Sequence, residues 1–130
     1  MSTIDLHVTG IQHIGVPTGD IYATIAFYKM LGFEITYETV LDNTKVAFLQ
    51  LHNLVIETYE SDEAAMKPGA FEHIALDCTD IEKAFADVKK IGLVPMADIE
   101  SLPFFEFGVR FFKITGPNKE VVEFCQRLTE

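Results

Sequence analysis

An internal repeat with a period of sixty residues limits the folds open to this chain more than any other feature of its sequence. When the sequence is shifted against itself by this length, a histidine, a helix start and a helix stop coincide in one frame. The matched positions are His13-Ile14 with His73-Ile74, Asp20-Ile21 with Asp80-Ile81, and Gly32 with Gly92. Because such a coincidence is rare by chance, the sequence predicts two copies of one supersecondary module.

The apolar pattern predicts the same order of elements in each copy. Residues 81–91 and 21–31 carry apolar side chains at a helical period, each after an aspartate suited to an N-cap and before a glycine suited to a helix C-terminus. Strand-like patterns predict β-strands at 11–16, 33–39, 46–51 and 54–59, then at 72–78, 93–97, 109–114 and 120–126. We therefore expect an α+β fold: a single domain over 1–130 with βαβββ modules at 11–66 and 71–128. The second module carries a six-residue insertion, expected within 98–108.

Composition excludes several classes of partner. The chain has 20 acidic and 10 basic residues, a formal charge of −10, and only two arginines. This balance disfavours nucleic acid and anionic membranes, both of which attract basic surfaces. No apolar run approaches the roughly twenty residues that span a bilayer, and no signal peptide is evident. Two cysteines are too few for a disulfide framework, so we expect a cytoplasmic protein. Because nucleic acid and anionic membranes are disfavoured as partners, we expect a small-molecule ligand.

Two glutamates and two histidines form the candidate site. Glu57 and Glu123 each interrupt an apolar strand at the end of a module, where a buried carboxylate costs several kcal/mol, by order of magnitude, unless it is paired or binds a metal. His13 and His73 begin the two modules, each with a glycine or an alanine next on the same face. Taken singly, each could be an ordinary core or surface residue. Together they predict a divalent metal site, since such donors suit Ni²⁺, Co²⁺, Zn²⁺, Fe²⁺ or Mn²⁺.

The motifs around these residues resemble the vicinal oxygen chelate superfamily, which unites glyoxalases, bleomycin-resistance proteins and extradiol dioxygenases. They are His13-Ile14-Gly15-Val16, Phe27-Tyr28-Lys29-Met30-Leu31-Gly32-Phe33, His73-Ile74-Ala75-Leu76, and Gly116-Pro117-Asn118-Lys119-Glu120-Val121-Val122-Glu123-Phe124. The resemblance implies a cup-shaped mixed sheet with metal ligands at His13, Glu57, His73 and Glu123. This ligand set is most similar to that of glyoxalase I, the lactoylglutathione lyase.

The resemblance also implies a reaction. An α-oxo or α-hydroxy compound, such as the hemithioacetal of methylglyoxal and a thiol, would chelate a metal ion (Ni, Zn or Co, with Fe and Mn as further options). The ion would stabilise an enediolate while a carboxylate moves a proton between adjacent carbons. Glu123 is the preferred catalytic base and Glu57 the other candidate. Glutathione or another thiol would be the co-substrate, and the protein would be a homodimer.

Two departures from the glyoxalase I pattern concern recognition of glutathione. Pro17 stands where an arginine is usual, and Ser61 stands where an asparagine is usual. The alternatives are an epimerase or a dioxygenase of the same superfamily, or a non-enzymatic, resistance-type protein that only binds its ligand. Metal content and oxygen uptake would discriminate among them.

A phenylalanine-rich segment and one arginine are further candidates for substrate contact. The segment contains Phe105 and Phe107, for which packing in the core or a dimer is the favoured interpretation over a substrate wall. Arg110 is the only arginine near the predicted cup. It either anchors a carboxylate or phosphate of the substrate or lies at the surface.

Overall fold

The structure, a computed structural model, describes residues 6–130. The chain divides into two compact units, one extending as far as Asp62 and the other spanning Glu63–Glu130. Each unit has the element order βαβββ, which confirms the predicted α+β fold of two tandem modules. The first contains β1 (Ile14–Thr18), α1 (Ile21–Met30), β2 (Glu34–Leu41), β3 (Thr44–Leu51) and β4 (Leu54–Glu60). The second contains β5 (His73–Asp77), α2 (Ile81–Lys90), β6 (Glu100–Leu102), β7 (Val109–Thr115) and β8 (Val121–Arg127).

The two helices begin and end in the same way. The carboxylates of Asp20 and Asp80 accept hydrogen bonds from the amide three residues further on, at 3.1 and 3.0 Å, as N-cap residues do. Gly32 and Gly92 follow the helices with φ of 102° and 98°, a region that residues with a Cβ rarely adopt. The amides of each glycine and of the next residue donate to carbonyls of the last turn, which is the Schellman arrangement. The predicted helix boundaries are therefore confirmed.

In each unit the first strand pairs with the last. The strand order is β1-β4-β3-β2 in the first sheet and β5-β8-β7-β6 in the second. The pairs β1·β4 and β5·β8 are parallel, and the remaining pairs are antiparallel. Gly15 lies opposite Glu57 and Ala75 lies opposite Glu123, so the two units share this register. The mixed sheets therefore bring the two ends of each module side by side.

Each helix covers one face of its own sheet, and we call the other side the far face. In the first unit the alternate residues Val16, Leu49 and Ile56 are buried on the helix face. Thr18 and Thr24 join β1 to α1 through a buried hydroxyl–hydroxyl hydrogen bond of 2.9 Å. In the second unit the helix face includes Phe85, Phe112 and Phe124, with Phe85 edge-on to Phe112 at 5.0 Å and Phe124 stacked on Phe112 at 4.8 Å. Because side chains alternate along a strand, Glu57 and Glu123 lie on the far faces.

One predicted strand is wrong. Residues 93–97 are not a strand, and the first strand after α2 is the three-residue β6. Pro95 has no N–H to donate to a ladder, and Val94 is 82% exposed. Met96 makes a single backbone hydrogen bond, to the carbonyl of Lys113 at 2.8 Å. One such bond does not define a strand, so regular pairing starts only at Glu100.

The register locates the extra residues of the second module. Phe48 lies opposite Glu57, and Lys113 holds the equivalent position opposite Glu123. From the helix-ending glycine to this position the separation is 48 − 32 = 16 residues in the first unit and 113 − 92 = 21 in the second. From this position to the glutamate it is 57 − 48 = 9 and 123 − 113 = 10. Five of the six extra residues therefore lie between α2 and β7, and the sixth lies in the β7–β8 turn, outside the expected range 98–108.

Both helices contain ten residues. Within residues 6–130, no helix has the length and apolar character needed to cross a membrane.

Candidate metal centre

The first unit brings His13 and Glu57 together. His13 immediately precedes β1, and Gly15, two residues later on the same face, lies opposite Glu57 of β4. The parallel pairing thus makes the histidine and the glutamate diagonal neighbours on the far face. His13 Nε2 is 3.4 Å from Glu57 Oε1, and the two side chains are 32% and 28% exposed.

The second unit repeats this arrangement with His73 and Glu123. His73 is the first residue of β5, and Ala75 lies opposite Glu123 of β8. His73 Nε2 is 3.7 Å from Glu123 Oε1, with side-chain exposures of 37% and 13%. The glycine or alanine beside each histidine leaves room for the imidazole ring. The repeat in the sequence is therefore also a repeat in the positions of these functional groups.

The other ring nitrogen of each histidine also has a neighbour. His13 Nδ1 is 2.9 Å from Gln12 Oε1, which is a hydrogen bond, and its ring is edge-on to Phe48 at 5.5 Å. His73 Nδ1 is 3.5 Å from Glu72 Oε1, and the same carboxylate oxygen lies 3.5 Å from Lys113 Nζ. Since the amide oxygen of Gln12 can only accept, this hydrogen bond requires the tautomer with the proton on His13 Nδ1.

The spacing of the first pair also suits a metal ion. With the proton on Nδ1, a neutral His13 presents a lone pair at Nε2 to the carboxylate of Glu57, and two acceptors 3.4 Å apart repel each other. A cation bound by both would remove that repulsion. Ligand atoms about 2.1 Å from one ion lie about 3.0 Å apart in octahedral geometry and about 3.4 Å apart in tetrahedral geometry. The distances of 3.4 and 3.7 Å are near this range, and imidazole with carboxylate suits Ni²⁺, Zn²⁺, Co²⁺, Fe²⁺ and Mn²⁺.

The four predicted ligands thus come together as two pairs, one in each unit. In the part of the chain from residue 6 to residue 130, no group of three or more histidine, cysteine, aspartate or glutamate side chains is placed to hold a metal ion. A single site with all four ligands therefore stays a prediction.

Arg110 lies on the opposite side of its sheet from the second pair. It shares the helix face of β7 with Phe112, and its guanidinium is 3.1 Å from the carboxylate of Glu82 in α2. The structure therefore does not bring Arg110 to Glu123. Lys113 does lie on the far face, directly opposite Glu123 in the β7·β8 register.

Phe105 and Phe107 also lie apart from the second pair. They line a depression of about 450 Å³ in the loop between β6 and β7, and its lining includes neither His73 nor Glu123. The guanidinium carbon of Arg127 is 3.6 Å from the centre of the Phe105 ring, a cation–π contact. Phe105 is thus held by a protein cation, and substrate contact by Phe105 and Phe107 stays a prediction.

Four neighbours of the histidines and glutamates did not appear among the sequence candidates: Gln12, Glu72, Phe48 and Lys113. Gln12 and Glu72 are themselves sixty residues apart, so extending the repeat by one residue before each histidine would have found them. The other two required the register of β3 with β4 and of β7 with β8, which the sequence does not contain.

The two cysteines are free thiols. Burial raises the pKa of the Cys78 thiol. Burial also raises the pKa of Cys125, and the nearby charges of Glu123 and Asp77 raise it further. Both thiols are therefore less readily ionised than free cysteine.

Comparison with known proteins identifies the family. A sequence profile of the Glyoxalase/Bleomycin resistance protein/Dioxygenase superfamily matches residues 10–124. The chain belongs to this superfamily. The resemblance inferred from the motifs is thereby confirmed at the level of the superfamily, while the likeness to glyoxalase I in particular stays a prediction.

Several similar proteins match nearly the whole chain. The uncharacterized protein YwbC of Bacillus subtilis (strain 168) is 32% identical over 127 residues, covering 90% of this chain and 97% of that protein. Among solved structures, a glyoxalase family protein from Enterococcus faecalis has a TM-score of 0.79 at 22% identity, covering 92% of this chain and 98% of that one. The fosfomycin resistance protein FosX from Listeria monocytogenes, complexed with Mn(II) and sulfate, has a TM-score of 0.70 at 19% identity, covering 93% and 94%. These structures share the fold of this superfamily member.

Proposed function

We propose that this protein is a divalent-metal-dependent lyase or isomerase similar to glyoxalase I. Its substrate would be a small α-oxo or α-hydroxy compound, such as the hemithioacetal of methylglyoxal and a thiol. The observation that carries the proposal is the pair of equivalent His–Glu contacts, at 3.4 and 3.7 Å, in two units of one duplicated chain. The βαβββ fold by itself does not require a histidine and a glutamate at the same register in both modules.

His13, Glu57, His73 and Glu123 would hold the ion, in a protein that we propose to be a homodimer. A bound divalent ion would act as a Lewis acid and stabilise negative charge on the two oxygens of the substrate. Nickel, zinc and cobalt are the preferred ions, and iron and manganese also suit this donor set. FosX, which shares the fold, binds Mn(II), and this gives the proposal a structural precedent.

Glu123 is the preferred group to move the proton between the adjacent carbons. It is 13% exposed, whereas Glu57 is 28% exposed. A carboxylate shielded from water returns the proton to the substrate more readily, because exchange with solvent is slower. Replacing a general base typically lowers the rate by about 10²–10⁴-fold, so we expect Glu123→Gln to lower kcat more than Glu57→Gln does.

A thiol other than glutathione is the preferred co-substrate. Pro17, which replaces the usual arginine, lies in β1 opposite Tyr59. Ser61, which replaces the usual asparagine, follows β4, and its amide donates to the carbonyl of Thr18 at 2.9 Å. Neither position carries the guanidinium or carboxamide that would hold a glutathione carboxylate or amide.

The test measures thioester formation from methylglyoxal with glutathione and with several other thiols. Metal-free protein is reconstituted in parallel with nickel and with zinc, and Glu123→Gln, Glu57→Gln and the exposed control Glu34→Gln are compared with the wild type. We expect activity that requires metal and is lost only in the first two variants. No thioester with any thiol would refute the lyase activity. Activity with glutathione would show that the changes at Pro17 and Ser61 are tolerated.

The same samples distinguish the other members of the superfamily. Oxygen uptake on a catechol with iron would indicate a dioxygenase. If the wild type binds no divalent ion and the glutamate variants behave normally, the protein is a ligand-binding member.

A further inference from the structure

The residue immediately before each candidate metal-binding histidine contacts its Nδ1. Gln12 Oε1 is 2.9 Å from Nδ1 of His13, and Glu72 Oε1 is 3.5 Å from Nδ1 of His73. Gln12 and Glu72 are sixty residues apart and therefore equivalent in the repeat. In both units an oxygen acceptor thus lies on one side of the imidazole and a glutamate lies on the other.

This arrangement selects one tautomer of each ring. A neutral imidazole carries one proton, and an acceptor beside one ring nitrogen keeps the proton on that nitrogen. Free histidine in water favours the proton on Nε2, so the opposite tautomer needs a partner at Nδ1. Gln12 supplies that partner through a hydrogen bond of 2.9 Å, and Glu72 places a carboxylate oxygen 3.5 Å from Nδ1 of His73. The lone pair of Nε2 then faces the carboxylate of Glu57 or Glu123, where a cation would bind.

We infer that Gln12 and Glu72 are positioning residues that hold His13 and His73 with the proton on Nδ1 and the lone pair of Nε2 directed toward the metal. The inference rests on the proposed function for the role of the two histidines as ligands. Beyond the proposed function, the inference identifies Gln12 and Glu72 as the residues that hold these histidines in the tautomer able to bind a metal ion. Neither Gln12 nor Glu72 contacts the ion or the substrate in this assignment.

We expect Gln12 and Glu72 to differ in how strongly they support metal binding. Glu72 is charged and is itself held near Lys113, whose Nζ lies 3.5 Å from the same oxygen, whereas Gln12 is a neutral amide. A carboxylate that accepts from a metal-binding histidine raises the basicity of that ligand more than an amide does, and losing such a partner typically costs about 10- to 100-fold in metal affinity. We therefore expect Glu72→Ala to weaken metal binding more than Gln12→Ala.

The first test reads the tautomers directly in metal-free protein, by ¹⁵N NMR of the ring nitrogens at a mildly alkaline pH. We expect His13 and His73 to carry the proton on Nδ1. The exposed His7 and His52 serve as internal references for free histidine. Gln12→Ala should shift the ring ¹⁵N signals of His13, and only those of His13, toward the signals of the reference histidines. Glu72→Ala should do the same for His73. The variants Gln12→Glu and Glu72→Gln retain an oxygen acceptor and should keep the wild-type tautomer.

The second test measures affinity for Zn²⁺ or Mn²⁺ by calorimetry, with the exposed Glu100→Ala as a control for the loss of charge. A purely structural role would lower the stability of Gln12→Ala and Glu72→Ala without changing the tautomers. Wild-type His13 and His73 with the proton on Nε2, or alanine variants with unchanged tautomers, would overturn the inference. A wild type that binds no divalent ion would instead overturn the proposed function, and the NMR result would still decide the tautomers.

Discussion

Replacing Glu57 by glutamine should stabilise the metal-free protein and destabilise the metal-loaded one. In the metal-free state with a neutral His13 ring, the carboxylate of Glu57 faces the lone pair of His13 Nε2 at 3.4 Å, because the hydrogen bond to Gln12 uses the proton on Nδ1. Glutamine has the same shape, but its amide group can donate a hydrogen bond to Nε2. The substitution thus exchanges a contact between two acceptors for a contact between a donor and an acceptor.

The size of the effect follows from ordinary hydrogen-bond energies. A net intramolecular hydrogen bond contributes about 0.5–1.5 kcal/mol, and the partial exposure of both side chains places this one at the lower end. A gain of about 0.5–1 kcal/mol raises the Tm of a chain of this size by about 2–4 °C. With an ion present at about 100 times its Kd, the wild type gains about 2.7 kcal/mol, whereas a variant that binds about 100-fold more weakly gains about 0.4 kcal/mol. The order of stability should therefore reverse when the ion is added.

Thermal unfolding followed by circular dichroism tests this prediction, first with a chelator and then with excess Zn²⁺ or Mn²⁺. Glu34→Gln removes the same charge from an exposed position of the same unit and should change little in either condition. Glu123→Gln should behave as Glu57→Gln does, since its carboxylate faces His73 in the same way. If Glu57→Gln lowers the Tm with chelator present, Glu57 already stabilises the metal-free protein. The carboxylate of Glu57 and Nε2 of His13 would then not repel each other as two acceptors.

Three further predictions concern the scaffold. Asp80→Ala removes the N-cap of α2 and should lower the free energy of unfolding by about 1 kcal/mol in urea titrations, and an unchanged midpoint would argue against the cap. Gly32→Ala should lower the free energy of unfolding by about 1–2 kcal/mol in the same assay, because the φ of 102° at this position strains any residue with a Cβ. The strain comes from the backbone, since a Cβ would meet its nearest side-chain atom, on Leu51, at an ordinary 3.5 Å. Burial raises the pKa of Cys78, so iodoacetamide should alkylate this thiol more slowly than free cysteine and faster as the pH rises; rapid reaction at neutral pH would contradict its burial.

The helix boundaries could be predicted from the sequence because each depends on the chemistry of one nearby residue. An aspartate caps the first turn and a glycine adopts the positive φ that ends the helix, whatever the rest of the chain does. The strand predicted at 93–97 failed for the opposite reason. A strand exists only through its hydrogen bonds to a partner, and here Met96 alone makes one to β7. Local apolar alternation contains no information about that partner.

The candidate site was predictable in its residues and only partly in its geometry. Alternation along a strand placed each histidine on one face with a small neighbour, and the repeat linked each glutamate to its counterpart. The parallel register that joins His13 to Glu57 had to be observed. The same limit explains Arg110 and Lys113. They lie three residues apart on opposite faces of β7, and only the register of β7 with β8 shows which of them shares a face with Glu123.

The pairing of first and last strands has a consequence for how these modules fold. His13 and Glu57 are 57 − 13 = 44 residues apart in the chain, and His73 and Glu123 are 123 − 73 = 50 apart, yet each pair meets on neighbouring strands. Such contacts have high sequence separation, and the entropy of closing these loops predicts that they form after the hairpins between them. An ion bound by either pair would therefore stabilise the pairing of the first strand of its module with the last. Its effect should appear as slower hydrogen exchange in β1 with β4, or in β5 with β8, while the hairpins between them exchange as before.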